Sequence, residues 1–215
     1  QKICLDKLKL NPLPNGKSEL WRLSDKSKLS TFLDYSHKKK ESKISFPFKK
    51  ASENIIRIII GEKSSINLKD ENYSIRKLKD SEIINYIKKN ISVSDQTDHW
   101  SDLLNHCLSS KKNILGLNIS GNKIPPIEIL SASSSDSFNS KTLILFFEKN
   151  CKVDLLQINL GNENSSLSQS TYLCLEENTS VNHGVVSYGK NKSNLLNSLN
   201  VIQKRKREYS LGSLH

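Results

Sequence analysis

Hydrophobic and polar residues are spaced in two different ways along the chain, and the change falls near residue 111. Residues 54–60 form a short apolar run rich in β-branched side chains, which predicts a buried strand. Apolar residues at helical spacing predict a helix through residues 75–91, and a second apolar stripe predicts another helix over residues 98–108. Residues 1–110 are therefore predicted to form a mixed α/β region.

Beyond residue 111, short apolar strands alternate with segments rich in serine and asparagine, and this pattern repeats. The segment Leu145–Asn150 aligns with Leu173–Asn178, which gives a repeat of about 28 residues, and the match continues past both segments. One further step in each direction gives four registers in total. They begin near Leu117, Leu145, Leu173 and Val201.

Each register follows one plan: a strand, a tight turn at an asparagine, a second strand and a polar connector. The connectors are predicted at residues 131–141, 161–170 and 189–200. A unit of this size cannot bury its own apolar face, so equivalent strands are expected to stack about 4.8 Å apart as continuous ladders. We therefore predict an α+β fold, in which the α/β region precedes an incomplete right-handed parallel β-helix, or β-solenoid, over residues 111–215. A plain antiparallel meander with coincidental spacing is the alternative.

The charge of the chain changes this picture little. Its net charge of +11 and sequence pI near 9.4 are typical of proteins that bind nucleic acids. However, only five of the 33 basic residues are arginine, the residue favoured for reading bases and gripping phosphates. The charge is also dispersed along the chain, so we expect a solvated surface and no nucleic-acid partner.

Apolar runs and cysteine spacing exclude two further classes. The longest apolar runs are far shorter than the ~20 residues of a membrane-spanning helix, so no membrane partner is expected. The four cysteines form no close pair, which excludes zinc-ribbon and ferredoxin spacings. No secretion-signal pattern is found, so we expect a reducing, cytoplasmic location. The chain begins with glutamine and contains no methionine, which we interpret as a fragment or a processed chain.

Candidate chemistry is sparse. The sequence has no glycine-rich phosphate loop, no GxSxG and no HExxH, so no catalytic or cofactor-binding residues are predicted. Cys174 and His183 take the places of Phe146 and Leu155 in the preceding register, and such departures from a repeat sometimes mark sites. We predict no metal site, with Cys174 and His183 as the first residues to test for a metal or cluster role. The simpler interpretation is a cysteine that packs and a histidine that is hydrogen-bonded or at the surface.

Two further residues or runs carry expectations about exposure. Cys151 follows the turn asparagine of its register, and we expect it to be exposed. The run Lys204–Arg207 would place four charges on alternate faces of a strand, where burial of all four would be prohibitive. This run is therefore predicted to be a loop or an exposed strand.

Several short segments resemble, in their order and spacing, SufD proteins of the SufB/SufD family, which belongs to the SUF system of iron–sulfur cluster assembly. A proline and a Glu-x-Trp-Arg-hydrophobic stretch near the start, an LN-x-A helix and a strand-turn-Pro-Ile entry into a β-helix are each matched. The matching segments are Leu13–Pro14, Ser18–Leu23, Leu103–Cys107, Ile114–Ile119, Pro125–Ile129, Leu175–Asn178 and Tyr209–Gly212.

The resemblance implies a non-catalytic scaffold subunit that, in the full-length protein, partners a SufB-like paralogue and a SufC-like ATPase. It implies no cofactor in this chain, because the full complex handles the iron–sulfur cluster. Trp21, Arg22 and Asn105 match family-signature positions and are expected to be structural. Lys112-Asn113 replaces the family's acidic-Gly pair, and the family's later coils and C-terminal helical segment have no counterpart, so none of their cluster-building residues carries over.

Two expectations about binding complete the sequence prediction. An incomplete solenoid exposes unpaired strand groups, so this chain is expected to self-associate through residues 195–214. The alternative function is a β-solenoid binding module or enzyme acting on a polysaccharide or another polymer. That alternative needs a row of acidic or aromatic residues on one face, and the sequence offers only a few. They are Phe146, Phe147, Glu148, Tyr172 and Glu176.

Overall fold

The computed structural model describes residues 52–60, 67–90, 113–203 and 207–214, together with Leu29, Ser30, Phe32 and Lys49. Most of the described residues are in β-strands, and helix α1 spans Asp80–Asn90. No helix in this described part is long and apolar enough to cross a membrane. The strands are β1 (Ile56–Ile59), β2 (Asn67–Lys69), β3 (Tyr73–Lys77), β4 (Ile114–Gly121), β5 (Ile127–Ala132), β6 (Phe138–Phe147), β7 (Lys152–Gly161), β8 (Ser166–Leu175), β9 (Ser180–Gly189), β10 (Asn194–Gln203) and β11 (Glu208–Leu214).

From β4 onward the chain forms a β-solenoid of about four turns, as the repeat predicts. One sheet has the order β1-β5-β7-β9-β11 and is called sheet A here; the other, sheet B, has the order β10-β8-β6-β4-β3-β2. All strands from β4 to β11 pair in parallel with the equivalent strand of a neighbouring coil. The four predicted register residues are direct neighbours across sheet B: Leu117, Leu145, Leu173 and Val201.

The repeat has a shorter unit than the sequence predicts, because both halves of each coil are alike. In the regular coils, a strand of ten residues alternates with a turn of four, so equivalent positions recur at half the predicted period. The third residue of each turn has a positive φ between 51° and 60°, and these residues are Asp136, Asn150, Asn164, Asn178 and Lys192. The predicted polar connectors were wrong in extent: much of each is strand, and the connection itself is a four-residue turn.

The fourth residue of each turn points into the solenoid. The hydroxyls of Ser137 and Ser165 each donate to the carbonyl three residues earlier, at 2.6 Å, which closes the turn. Cys151 occupies the same position and is fully buried, so the expectation that it is exposed was wrong. Burial, with a smaller contribution from the charge of Glu148, raises the pKa of the Cys151 thiol to about 12. It is a packed thiol, not a reactive one.

The interior of the solenoid is apolar along one edge. Alternate residues of each strand point inward and stack on their equivalents in the next coil, which removes them from water and supplies the main stabilising term. Across sheet A, for example, Val153 stacks on Val181 and then on Tyr209. The same core includes Leu115, Leu117, Ile119, Ile127, Ile129, Leu143, Leu145, Phe147, Leu155, Leu173 and Leu175.

The other edge of the interior is polar and is joined by a chain of hydrogen bonds between the two sheets. Ser131 donates to Gln169 at 2.8 Å, and Thr171 donates to Gln157 at 3.1 Å. The chain continues from Gln157 to Asn159 (3.2 Å), from Asn159 to Asn197 (3.1 Å) and from Asn197 to Ser187 (2.7 Å). Buried polar groups need such partners, so this network fixes how the sheets face each other.

Residues from the N-terminal region extend both sheets. Strand β1, which the apolar run predicts, pairs in parallel with β5, whereas β3 pairs antiparallel with β4. Ile75, which the spacing placed in a helix, is instead a buried residue of β3. The helix itself begins five residues later at Asp80, and the second predicted helix over residues 98–108 lies outside the described residues.

Helix α1 packs on the outer face of sheet B. Ile83 of the helix and Leu78 before it form a cluster with Ile144 and Tyr172. The packing is so close that a Cβ on Gly116 would lie 2.8 Å from Cδ1 of Leu78 and 3.0 Å from Cγ1 of Ile83. The helix can therefore dock here only because residue 116 of β4 is a glycine.

Candidate interaction surface

The last coil offers main-chain groups that no described strand pairs with. Strand β10 pairs with β8 on one side, and β11 pairs with β9 on one side, so each is an edge strand within the described chain. Edge strands present a row of N–H and C=O groups to another chain. Both edges lie at the same end of the solenoid and form one surface, which we call the end coil.

Interior side chains are also partly uncovered at this end. Leu199, Val201 and Tyr209 belong to the apolar columns but are only half-buried, whereas their equivalents one coil earlier are buried. Leu211 and Leu214 are 51% and 67% exposed. Within the described chain, the end coil therefore combines unpaired edge groups with exposed apolar area, which a further coil or another chain could cover.

His183 points into the interior of the solenoid, directly below the end coil. It lies in a column with Ile127, Leu155 and Leu211, and only 2% of its surface is exposed. Its Nδ1 lies 2.9 Å from the hydroxyl of Tyr209, and its Nε2 is buried without a hydrogen-bond partner. Burial lowers the pKa of His183 to about 4 and raises that of Tyr209 to about 12, so the pair is neutral at pH 7.

Cys174 lies elsewhere. It is on the outer face of sheet B, half-buried beside the cluster under helix α1, while His183 faces the interior from sheet A. The structure thus does not bring the two candidate metal residues to one site. Among the described residues, no group of three or more His, Cys, Asp or Glu side chains is placed to hold a metal ion.

Arg207 departs from the prediction for its basic run. Its side chain is fully buried at the fourth turn position, where the preceding coils have Thr179 and Cys151. A guanidinium nitrogen lies 3.8 Å from a carboxylate oxygen of Glu176, its ion-pair partner among the described residues. The prediction of an exposed run was therefore wrong for Arg207, while residues 204–206 lie outside the described chain.

The family-signature positions are not described. Trp21, Arg22 and Asn105 all lie in ranges for which the structure gives no placement.

The sequence pattern did not predict two features of the interior: the His183–Tyr209 contact and the polar network. Both features could have been predicted by aligning the turns of the sequence at half the predicted period. That alignment identifies the inward-facing positions of both strands in each coil.

Comparison with known proteins gives no further assignment. No family model, no curated protein and no solved structure matches this chain.

Proposed function

We propose that this protein is a non-catalytic scaffold subunit of SUF-type iron–sulfur cluster assembly, which partners a SufB-like paralogue and a SufC-like ATPase. The observation that supports the proposal is the stack of parallel coils that runs from β4 to β11. The β-solenoid is also the kind of fold that the sequence resemblance implies. We also propose that the solenoid coils in the right-handed sense, since crossovers between parallel strands are right-handed in nearly all cases.

The proposal places the protein in a reducing, cytoplasmic compartment. Cys151 and Cys174 form no disulfide within the described part of the chain. Free cysteines are the usual state in such compartments, and this agrees with the location expected for cluster assembly.

Co-expression tests the proposed partnership. A tagged full chain is expected to co-purify with a SufB-like paralogue and a SufC-like ATPase, and a chain carrying both Leu211→Lys and Leu214→Lys is expected to lose them. Leu68→Lys is the matched control, since Leu68 is 39% exposed on β2, far along sheet B from the end coil. No co-purification by the unmodified chain, or equal capture by all three proteins, would contradict the proposal.

The same surface is proposed to make this chain self-associate. Pairing of two end coils would satisfy both edge strands and cover Leu211 and Leu214. Size-exclusion chromatography with light scattering is expected to give a dimer or larger assembly. A clean monomer at all concentrations would contradict self-association, and it would leave the partnership to be judged by co-expression.

The polysaccharide alternative has less support from the described residues. Phe147 is fully buried in the core, and Tyr172 is 4% exposed beneath helix α1, so neither is available to stack on a sugar. Glu148 is engaged with the side-chain amide of Asn118 at 2.6 Å. Binding of the chain to a glycan array would favour this alternative over the scaffold.

A further inference from the structure

A groove of about 380 Å³ crosses the outer face of sheet A. Its floor is open because Gly184 and Gly212 occupy neighbouring coils at the position where the preceding coil has Leu156. A Cβ on Gly212 would meet no atom within 4 Å, so the space above this residue is free. Pro126 and the half-exposed Leu156 add apolar surface to the groove.

One wall of the groove is a directional ladder of polar side chains. The hydroxyl of Ser210 donates to Oδ1 of Asn182 at 2.7 Å, and Nδ2 of Asn182 donates to Oδ1 of Asp154 at 2.8 Å. The dipoles of the ladder all point the same way, so it ends in a fixed, exposed carboxylate. Asp154 forms no ion pair with any described residue, and its second oxygen remains for a ligand.

The charges around the groove favour a single cation. Glu128, which also lines the groove, is neutralised by its ion pair with Arg57. At the next outward positions of the same strands lie Lys152 and Glu208, two strands apart, which together add no net charge. With Asp154 included, the net charge of these groups is negative, although the whole chain has a net charge of +11.

We propose that this groove binds a lysine side chain of a partner protein, with the ammonium at Asp154 and the methylene stem along Leu156 and Pro126. Lysine stems pack on apolar surface while the charged end seeks a carboxylate. An arginine gains most from a bidentate contact with both carboxylate oxygens, and the bond from Asn182 already uses part of the acceptor capacity of one of them. An ammonium requires only a point contact, so lysine fits better than arginine.

Titration of the full chain with a short peptide tests this proposal. The probe is acetyl-Leu-Ala-Lys-Ala-Leu-amide, followed by the amide NMR signals of Gly184 and Gly212. These two signals are expected to shift, whereas a peptide with norleucine in place of lysine is expected to bind at least fivefold more weakly. The purified chain alone is used, so the result does not depend on the scaffold proposal.

Three variants locate the contact. Asp154→Asn keeps the bond from Asn182 but removes the charge, and is expected to weaken binding about fivefold, the effect of one partly exposed ion pair. Gly212→Leu fills the groove without a clash at Cβ and is expected to abolish binding. Asp136→Asn is the matched control, since it removes a carboxylate at a turn outside the groove and keeps a residue that tolerates a positive φ.

Each outcome decides the proposal. Weakening by Asp154→Asn and loss by Gly212→Leu, with no effect of Asp136→Asn, would support it. No binding by the unmodified chain, equal binding of the norleucine peptide or unchanged binding by the two groove variants would overturn it. Shifts of the same glycine signals by cellotriose but not by the lysine peptide would overturn it in favour of a sugar.

Discussion

Single residues at the turns determine where the chain can reverse. Four of the five residues with positive φ in the solenoid turns are asparagine or aspartate, which adopt this conformation at low cost. Two ladders reinforce them, since Asn164 donates to Asp136 at 2.6 Å and Asn178 donates to Asn150 at 3.2 Å. The turn residues therefore contribute both backbone freedom and contacts between coils.

Replacement of Asn178 tests this role. Asn178→Ala forces an ordinary side chain to keep a φ of 58° and removes the bond to Asn150, so we expect a loss of about 1–2 kcal/mol in the free energy of unfolding. Asn178→Gly keeps the backbone freedom and is expected to lose less than half of that amount. Urea unfolding measures both, and equal losses would show that φ does not matter here.

His183 makes stability depend on pH. Its pKa is about 4 in the folded chain against an ordinary 6.5, so the folded state favours the neutral ring. This contribution is fully present above pH 6.5 and is lost as the pH falls toward 4, by about 3 kcal/mol in total. Urea unfolding at pH 7.5 and pH 4.5 is expected to show most of this loss for the unmodified chain.

The change in unfolding free energy between pH 7.5 and pH 4.5 should come from the imidazole ring of His183. His183→Leu restores the aliphatic column of Ile127 and Leu155, and is expected to remove most of the difference between pH 7.5 and pH 4.5. Tyr209→Phe is the control, because it removes the hydrogen-bond partner but keeps the titrating ring. An unchanged slope in His183→Leu would show that other groups cause the pH dependence.

At the level of elements, apolar strands could be predicted and polar ones could not. The run at residues 54–60 and the register residues of sheet B are strands, because alternating apolar residues reveal an inward face. Ser166–Ser170 has no such contrast, and serine is a typical loop residue. These residues form a strand because the interior there is itself polar, with Gln169 bonded to Ser131. The local sequence pattern does not indicate a hydrogen-bond partner that is so distant in the sequence.

Helix α1 gives a matched pair of positions for testing how it is held. Ile83 is 7% exposed against sheet B, while the adjacent Ile84 is 50% exposed. We expect Ile83→Ala to destabilise the chain by about 3 kcal/mol and Ile84→Ala by less than about 0.5 kcal/mol. Thermal or urea unfolding measures both, and equal effects would mean that the helix does not rest on this side chain.

At the scale of the whole molecule, the repeat that aligns Leu145 with Leu173 was sufficient to predict the solenoid and its register. It did not reveal which candidate residues meet, because that depends on the face from which each side chain points. Cys174 and His183 are close in sequence, but they are on opposite faces of different sheets. The groove on sheet A was also missed, since glycine positions create it and three polar residues from different coils line one wall.

The stacking of coils underlies the end coil, the groove and the proposed scaffold role alike. Methyl-labelled full chain gives the most direct measurement, through cross-peaks in a nuclear Overhauser spectrum. Because neighbouring coils lie about 4.8 Å apart, Leu145 methyls are expected to show cross-peaks to both Leu117 and Leu173, and Leu173 to Val201. Absence of the Leu117–Leu145 and Leu145–Leu173 cross-peaks would contradict the solenoid and every conclusion built on it.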